Sequence, residues 1–270
     1  MSLPLRLERG GPGGTVVRVT LDRPDVHNAL DGELIAGLRR AFRRLADEPP
    51  ERLRAVVLAG EGTTFCAGAD IAWMRASLDL PREDNEQDAM TLAEMFDAID
   101  RCPVPVVARV HGAALGGGMG LCAVSDLVIA EAGARFGFTE TRLGLLPAVI
   151  SPFVIAKIGE SHARALFPGG RRFDATRALR IGLVHEVVEG LDALDASVNA
   201  ALSDILTAGP TATREAKAVI REVRGQPHDA TRTLTVRRIA AQRVSPEGQE
   251  GLRAFLDHRR PSWQEDGSER

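Results

Sequence analysis

Hydrophobic and polar positions change their rhythm several times along this chain, and each change marks an element. Residues Thr15 to Leu21 alternate apolar and polar, the period of a strand with two unlike faces. The glycine-rich stretch Gly10 to Gly14 before them predicts a hairpin turn from an opening strand, Leu3 to Glu8. Leu34, Leu38, Phe42 and Leu45 then recur at helical spacing. Asp31 is suited to cap a helix from Gly32 to Ala46, and Pro49 with Pro50 stops it. Ala55 to Ala59 (AVVLA) and Val106 to Val110 are short continuous apolar runs, as expected of strands covered on both faces. Leu127 to Ala130 predicts a third such strand, and Thr91 to Ile99 a helix. Leu78 to Asp88 (LDLPREDNEQD) is polar and turn-rich and predicts a loop, one that could move over a site.

The alternation of strands and helices over the first ~190 residues predicts an α/β fold. After Leu191 only helical patterns remain, at about Leu191 to Ala208, Thr211 to Val223, Thr231 to Arg243 and Pro246 to His258. We therefore expect a core domain over residues 1–195 and a helical region over 196–270, with a frayed tail after Trp263.

Composition narrows the function classes. With 270 residues and 44% hydrophobic content the chain can bury a large core. The net charge of -3 gives no basic footprint for nucleic acid. Positive charge is almost all arginine, the only lysines being Lys157 and Lys217. Cys66, Cys102 and Cys122 show no metal-ligand spacing and read as reduced, buried thiols. No signal-like N-terminus or membrane-length apolar run is present, so the expectation is a cytoplasmic protein with no membrane partner.

Chemistry concentrates in two glycine-bearing loops, FCAGADI (Phe65 to Ile71) and HGAALGGGMG (His111 to Gly120), each placed where a strand ends and a helix can begin. Small residues there let a ligand approach the backbone, and the opening amides of a helix point outward with the positive end of its dipole. Gly118, Gly120 and Ala123 also match the dinucleotide fingerprint G-x-G-x-x-A, with Glu140 near the distance of the ribose acid. The long HGAALGG stretch between strand and motif argues against that reading.

Taken in order, FCAGADI, CPVPVVARVHGAALGGGMGL and SDLVIAEAGARFGFTETRLGLLP resemble the enoyl-CoA hydratase/isomerase (crotonase) family. LDRPDVHNAL, FDATRALRIGLVHEVV and EGLRAFLDHRRPSW extend the likeness over nearly the whole chain. The resemblance implies a spiral of ββα units with a helical C-terminal region that builds a homotrimer or a dimer of trimers. It implies an acyl-CoA substrate and no separate cofactor or metal, coenzyme A being part of the substrate. It places an oxyanion hole on the backbone amides of Ala69 and Gly117 and a catalytic carboxylate on Glu140. The family's other glutamate falls on Gly120, a departure that leaves hydratase, single-glutamate isomerase and a weakly catalytic acyl-CoA-binding protein as alternatives. Finer likeness in GADIAWM, LGGGMGL and RLGLLPAVISPFV is to bacterial hydratases of 3-methylglutaconyl-CoA and related carboxylated substrates. Arg75 and Arg142 would be the cations for such a carboxylate. Coenzyme contacts map onto Arg23, His27, Ala67 and Ile71, and onto Arg259 and Arg260 reaching a neighbouring subunit. Asp70 is expected to brace its loop or cap the next helix, and His111 to hydrogen-bond rather than catalyse.

Overall fold

The computed structural model describes residues 4–264. The opening residue Leu3 of the expected first strand, and the expected frayed tail past Gln264, lie outside them. Strands β1 (Leu5–Gly10) and β2 (Val16–Leu21) form the hairpin, followed by helix α1 (Gly32–Ala46). Asp31 caps α1 by accepting from the Leu34 amide at 2.8 Å. Next come β3 (Ala55–Gly60), α2 (Ile71–Ser77) and α3 (Arg82–Asp100). They are followed by β4 (Val106–Val110), β5 (Ala113–Leu115) and α4 (Gly117–Val124), and then by β6 (Leu127–Glu131), β7 (Arg135–Gly137) and α5 (Ser151–Leu166). The chain continues through β8 (Phe173–Asp174), α6 (Ala175–Arg180), β9 (Glu186–Val188) and α7 (Gly190–Thr207). Helices α8 (Pro210–Val223), α9 (His228–Val244) and α10 (Pro246–Leu256) complete it.

The strands make two sheets, one ordered β1-β2-β3-β4-β6-β9 and one ordered β5-β7-β8. Apart from the β1/β2 hairpin the large sheet is parallel. Isolated bridges Cys66↔Ala114 and Leu30↔Ala69 continue the small sheet backwards along the chain. Each turn of the chain thus runs from a large-sheet strand, through a small-sheet segment, into a helix. This is a spiral of ββα-like units, and it brings successive strand-to-helix junctions side by side.

The parallel strands are apolar throughout because both faces of the sheet are covered. Val56 and Leu58 face a large core shared with Leu34, Leu38 and Phe42 of α1 and with Met95, Phe96 and Ile99 of α3. Ala55 and Val57 face a second core with Val107, Ile129 and, from α7, Leu194 and Val198. Helix α7 therefore closes the back of the sheet, and the domain boundary expected at residue 195 falls inside a helix that belongs to the core. Arg109 of β4 holds the same helix through two bonds to Asp195, at 2.6 and 2.8 Å. By contrast, Ala254 is the one buried residue on α8–α10 among the described residues.

Leu78 to Asp88 is not a long loop. Only its first four residues lie between helices, and α3 starts at Arg82 behind Pro81. Glu83 and Asp84 favour the positive end of α3, and Arg82 pairs with Glu86 at 2.8 Å. The segment is polar because its helix is exposed, not because it is irregular.

Candidate active site

The first loop is aligned by hydrogen bonds. Cys66 bonds β5 in both directions, its amide to Ala113 O and its carbonyl from the Leu115 amide, each at 3.0 Å. Strand alternation would turn Gly68 the same way, yet the Gly68 carbonyl accepts instead from Leu30 N–H at 2.7 Å. The reversal occurs at Gly68, whose φ of +99° is open to glycine and strained for other residues. Asp70 N–H then donates to Leu30 O at 2.9 Å. Ala69 is bracketed by these two bonds, so its own amide points away from Leu30. Asp70 also accepts from the Ala72 and Trp73 amides, at 2.7 and 3.3 Å, and caps α2 as expected.

The second loop is aligned by close packing. Gly116 has φ +48° and ψ −113°, and its amide donates to Gly137 O at 3.0 Å. Gly117 opens α4, where the first amides have no helical carbonyl to bond. A Cβ at Gly117 would lie 2.6 Å from Leu30 Cδ1, and one at Gly118 would lie 2.5 Å from Cys66 O. These glycines let the loops touch. A Cβ at Gly68 would meet the Leu115 carbonyl oxygen at 3.0 Å and Gly116 Cα at 3.6 Å.

Glu140 starts a 3-10 turn, Glu140–Leu143, just after β7. Thr141 ties the turn to Phe167 O through its hydroxyl at 2.9 Å. A Cβ on Gly116 would sit 3.5 Å from Glu140 Oε1, so the carboxylate lies directly against the second loop. Its Oε2 is buried and has no hydrogen-bond partner among the described residues. Burial pushes the Glu140 carboxyl above the ordinary range, opposed only by its own backbone amide. Ala69, Gly117 and Glu140 line one cavity of about 200 Å³. The rest of its wall is almost wholly apolar, including Leu30, Met74, Leu92, Leu145, Val149 and Ile150.

Gly120, where a second carboxylate was conceivable, faces no open space. A Cβ there would lie 2.5 Å from Ile150 Cγ2 and 2.6 Å from Phe96 Cζ. Gly118 and Gly120 sit inside α4 against these neighbours, which disposes of a phosphate-binding turn. Neither Arg75 nor Arg142 lines the cavity: both are exposed, and the Arg142 stem packs near Gly170. Of the coenzyme candidates, Ala67 lines the cavity, Ile71 is 73% exposed beside it, and His27 is exposed with its carbonyl accepting from Ala67 N–H. Arg23 is a brace instead of an outward cation: it pairs with Asp31 at 2.9 Å and Asp70 at 3.0 Å and donates to Ala29 O. Arg259 pairs with Glu250 at 2.7 Å, and Arg260 lines a different cavity near Trp263. His111 is buried, bonding Gly62 O at 2.8 Å and Arg109 at 3.3 Å, the hydrogen-bonding role expected of it. Burial pushes the Cys66 and Cys122 thiols up to about 12, so neither is a nucleophile.

Sequence reasoning missed the cavity wall. Trp73 and Leu92 carry helical signals that say "core" and nothing more, and only their convergence on Glu140 marks them. Phe96 was equally silent, although it decides what Gly120 can do.

Comparison with known proteins agrees with this geometry. An enoyl-CoA hydratase of Alternaria alternata, AKT6-1, is 32% identical over 241 residues, 88% of this chain and 78% of that protein. The solved structure of an enoyl-CoA hydratase from Shewanella pealeana is 36% identical, covers 96% of both chains and superposes with a TM-score of 0.90. That of an enoyl-CoA hydratase/isomerase from Marinobacter aquaeolei is 37% identical, covers 97% of this chain and 99% of its own, and gives 0.91. The family model described as Enoyl-CoA hydratase/isomerase matches residues 12–266, a span that takes in both loops, Glu140 and the C-terminal helices. The chain belongs to the enoyl-CoA hydratase/isomerase family and has the crotonase fold.

Proposed function

We propose that the protein is a hydratase of 2-enoyl-CoA thioesters with an uncharged acyl chain, working through one carboxylate. The observation that carries this reading is the unpartnered, buried Oε2 of Glu140 in an apolar cavity that Ala69 and Gly117 also line. The thioester oxygen accepts from the Ala69 and Gly117 amides. Glu140 takes one proton from a water whose oxygen bonds C3, and the C2–C3 electron pair moves onto the thioester as an enolate. The new carboxyl returns that proton to C2. Water is thereby added across the double bond, and Glu140 ends as it began. Fixed amide donors are each worth about 3 kcal/mol to such an oxyanion. A carboxyl shifted upward by burial is suited to both halves of the proton transfer.

The wall argues for the substrate. A carboxylated acyl chain would bury its charge against Leu92, Leu145 and Val149, with neither candidate arginine among the residues lining the cavity, and an unpaired buried charge is expensive. His27, Ala67 and Ile71 remain the proposed coenzyme contacts. Exposed Ile220, Val236, Ile239, Val244 and Phe255 on α8–α10 support covering of this layer by further copies of the chain, a trimer in the proposed assembly.

One observation favours a second reading. With Gly120 closed by Phe96 and Ile150, Glu140 is the one carboxylate lining the cavity among the described residues. The same group could take a C2 proton from a 3-enoyl thioester and return it to C4, which is isomerisation. Absorbance of the conjugated enoyl thioester separates the two. Purified protein should bleach a medium-chain 2-enoyl-CoA faster than 3-methylglutaconyl-CoA, and Glu140→Gln should lower that rate about 10²-fold or more. Absorbance gained from 3-enoyl-CoA, with none lost from 2-enoyl-CoA, would replace hydration by isomerisation. An unchanged rate in Glu140→Gln would end both readings.

A further inference from the structure

At the far end of α4 from Gly117 sits a lysine that the reaction does not use directly. Lys157, on α5, sends its ammonium to two carbonyls, Cys122 O at 3.0 Å and Ser125 O, which are the last turn and the C-cap of α4. The Ser125 hydroxyl takes another of these carbonyls, Leu121 O, at 2.8 Å. None of the ion pairs among the described residues includes Lys157. The charged and titratable groups around it are Cys122 on α4, Asp126 just after it, Asp100 at the end of α3, Lys217 on α8 and His185 before β9. Asp126 is already engaged, its carboxylate accepting from Lys217 at 2.5 Å and from Val106 N–H at 2.7 Å. Lys157 is thus a cation whose hydrogen-bond partners are backbone carbonyls at the negative end of an eight-residue helix.

We propose that Lys157 is a positioning residue for the oxyanion hole: its charge holds the carboxyl end of α4, and so the Gly117 amide at the other end, in place for the thioester oxygen. The proposal rests on the reading of Gly117 as an oxyanion donor. Two links carry it. Helix α5 packs along α4, with its N-cap Ile150 against Gly120 at the cavity end and Lys157 on Cys122 O at the other, so the lysine helps to fix how α4 lies beside the cavity that Ile150 also lines. A cation at a helix C-terminus also reinforces the positive potential at the N-terminus, where enolate charge develops. Burial holds the Lys157 ammonium down to about 8, so the charge is lost within an accessible pH range.

The test uses the full chain. Between pH 7 and 9.5, kcat of the wild type should fall roughly three- to tenfold as Lys157 loses its proton. Lys157→Met should start lower by the same factor and show no such limb. Lys157→Arg, which stays charged, should keep the neutral-pH rate and also lose the limb. A helix support of no consequence for the amide would leave the limb in place in both variants, and that result overturns the proposal. The lysine's titration can be followed without turnover. The chain has only two lysines, so protein labelled with nitrogen-15 at lysine Nζ gives two side-chain signals. One should titrate near 8 and vanish in Lys157→Arg; a fall in kcat over this range with no lysine signal titrating in step would overturn the proposal. A bound enoyl-CoA should also show a smaller red shift of its thioester absorbance in Lys157→Met than in wild type, and an equal shift would again overturn it. Neither spectroscopic readout depends on Glu140, so a silent Glu140→Gln variant would remove the catalytic reading without touching this one.

Discussion

The two loops that meet at Glu140 do the same job by different physical means. In the first, two hydrogen bonds to Leu30, on either side of Ala69, turn the Ala69 amide away from Leu30 beside the cavity that Ala69 lines. In the second, direction comes from side chains that are absent: Gly117 leaves room for Leu30, Gly118 for the Cys66 carbonyl, and Gly120 for Phe96 and Ile150. A hydrogen-bonded loop has slack, because bonds lengthen gradually. A loop whose glycines leave less than van der Waals distance for any added Cβ has none. The difference predicts how each should fail.

The largest effect is expected at Gly118. In Gly118→Ala the new methyl meets a backbone oxygen that already accepts from the Leu115 amide, so the two loops must separate. Overpacking should cost about 1–3 kcal/mol in urea unfolding. Displacing the Gly117 amide, the proposed oxyanion donor, should lower kcat by about 10²-fold or more. A variant that turned over at the wild-type rate would show that the second loop has slack after all.

An intermediate effect is expected from the group between the loops, and its sign depends on pH. Glu140 titrates higher in the folded chain than in the unfolded one, so the folded protein binds its proton more tightly. Stability from this group is therefore full below the ordinary carboxylate range and is lost as pH rises through the raised value. Glu140→Gln, neutral at every pH, should melt above wild type at neutral pH, with the gap closing toward pH 4. Parallel melting curves across that range would contradict the desolvation of Glu140.

The smallest effect is expected in the hydrogen-bonded loop. Asp70→Ala removes the cap of α2 and one partner of Arg23, at a cost of about 1 kcal/mol. The Leu30 bracket around Ala69 survives, so kcat should fall by less than about tenfold, this single-donor ceiling being well short of a lost oxyanion contact. A fall as deep as that of Gly118→Ala would erase the contrast between the loops.

Local patterns decided a good deal on their own. The period-two run of β2, the continuous apolar runs of β3 and β4, and the spacing of Leu34, Leu38 and Phe42 each reflect a burial requirement that repeats along the chain. The elements accordingly lie where those patterns put them. Both loops were visible because close approach of backbone to backbone demands small residues in sequence. Glu140 was visible through the motif around it. The polar start of α3 misled, since an exposed helix and an exposed loop share a composition. Helix α7 misled in another way: a helical pattern does not say which sheet its buried side meets, and Leu194 and Val198 found the back of the core.

What the sequence determined by itself, then, is everything whose cause lies within a few residues: strand and helix periods, caps, and the glycines of the two turns. What only the tertiary structure decided is everything whose cause comes from a distant segment. Phe96 and Ile150 close the space beside Gly120, Asp31 and Asp70 turn Arg23 into a brace, and Lys157 reaches the end of α4. Leu92 and Val149 make the wall around Glu140 apolar. The physical reason is that burial and desolvation depend on which surfaces meet in space, and separation along the chain carries no record of that.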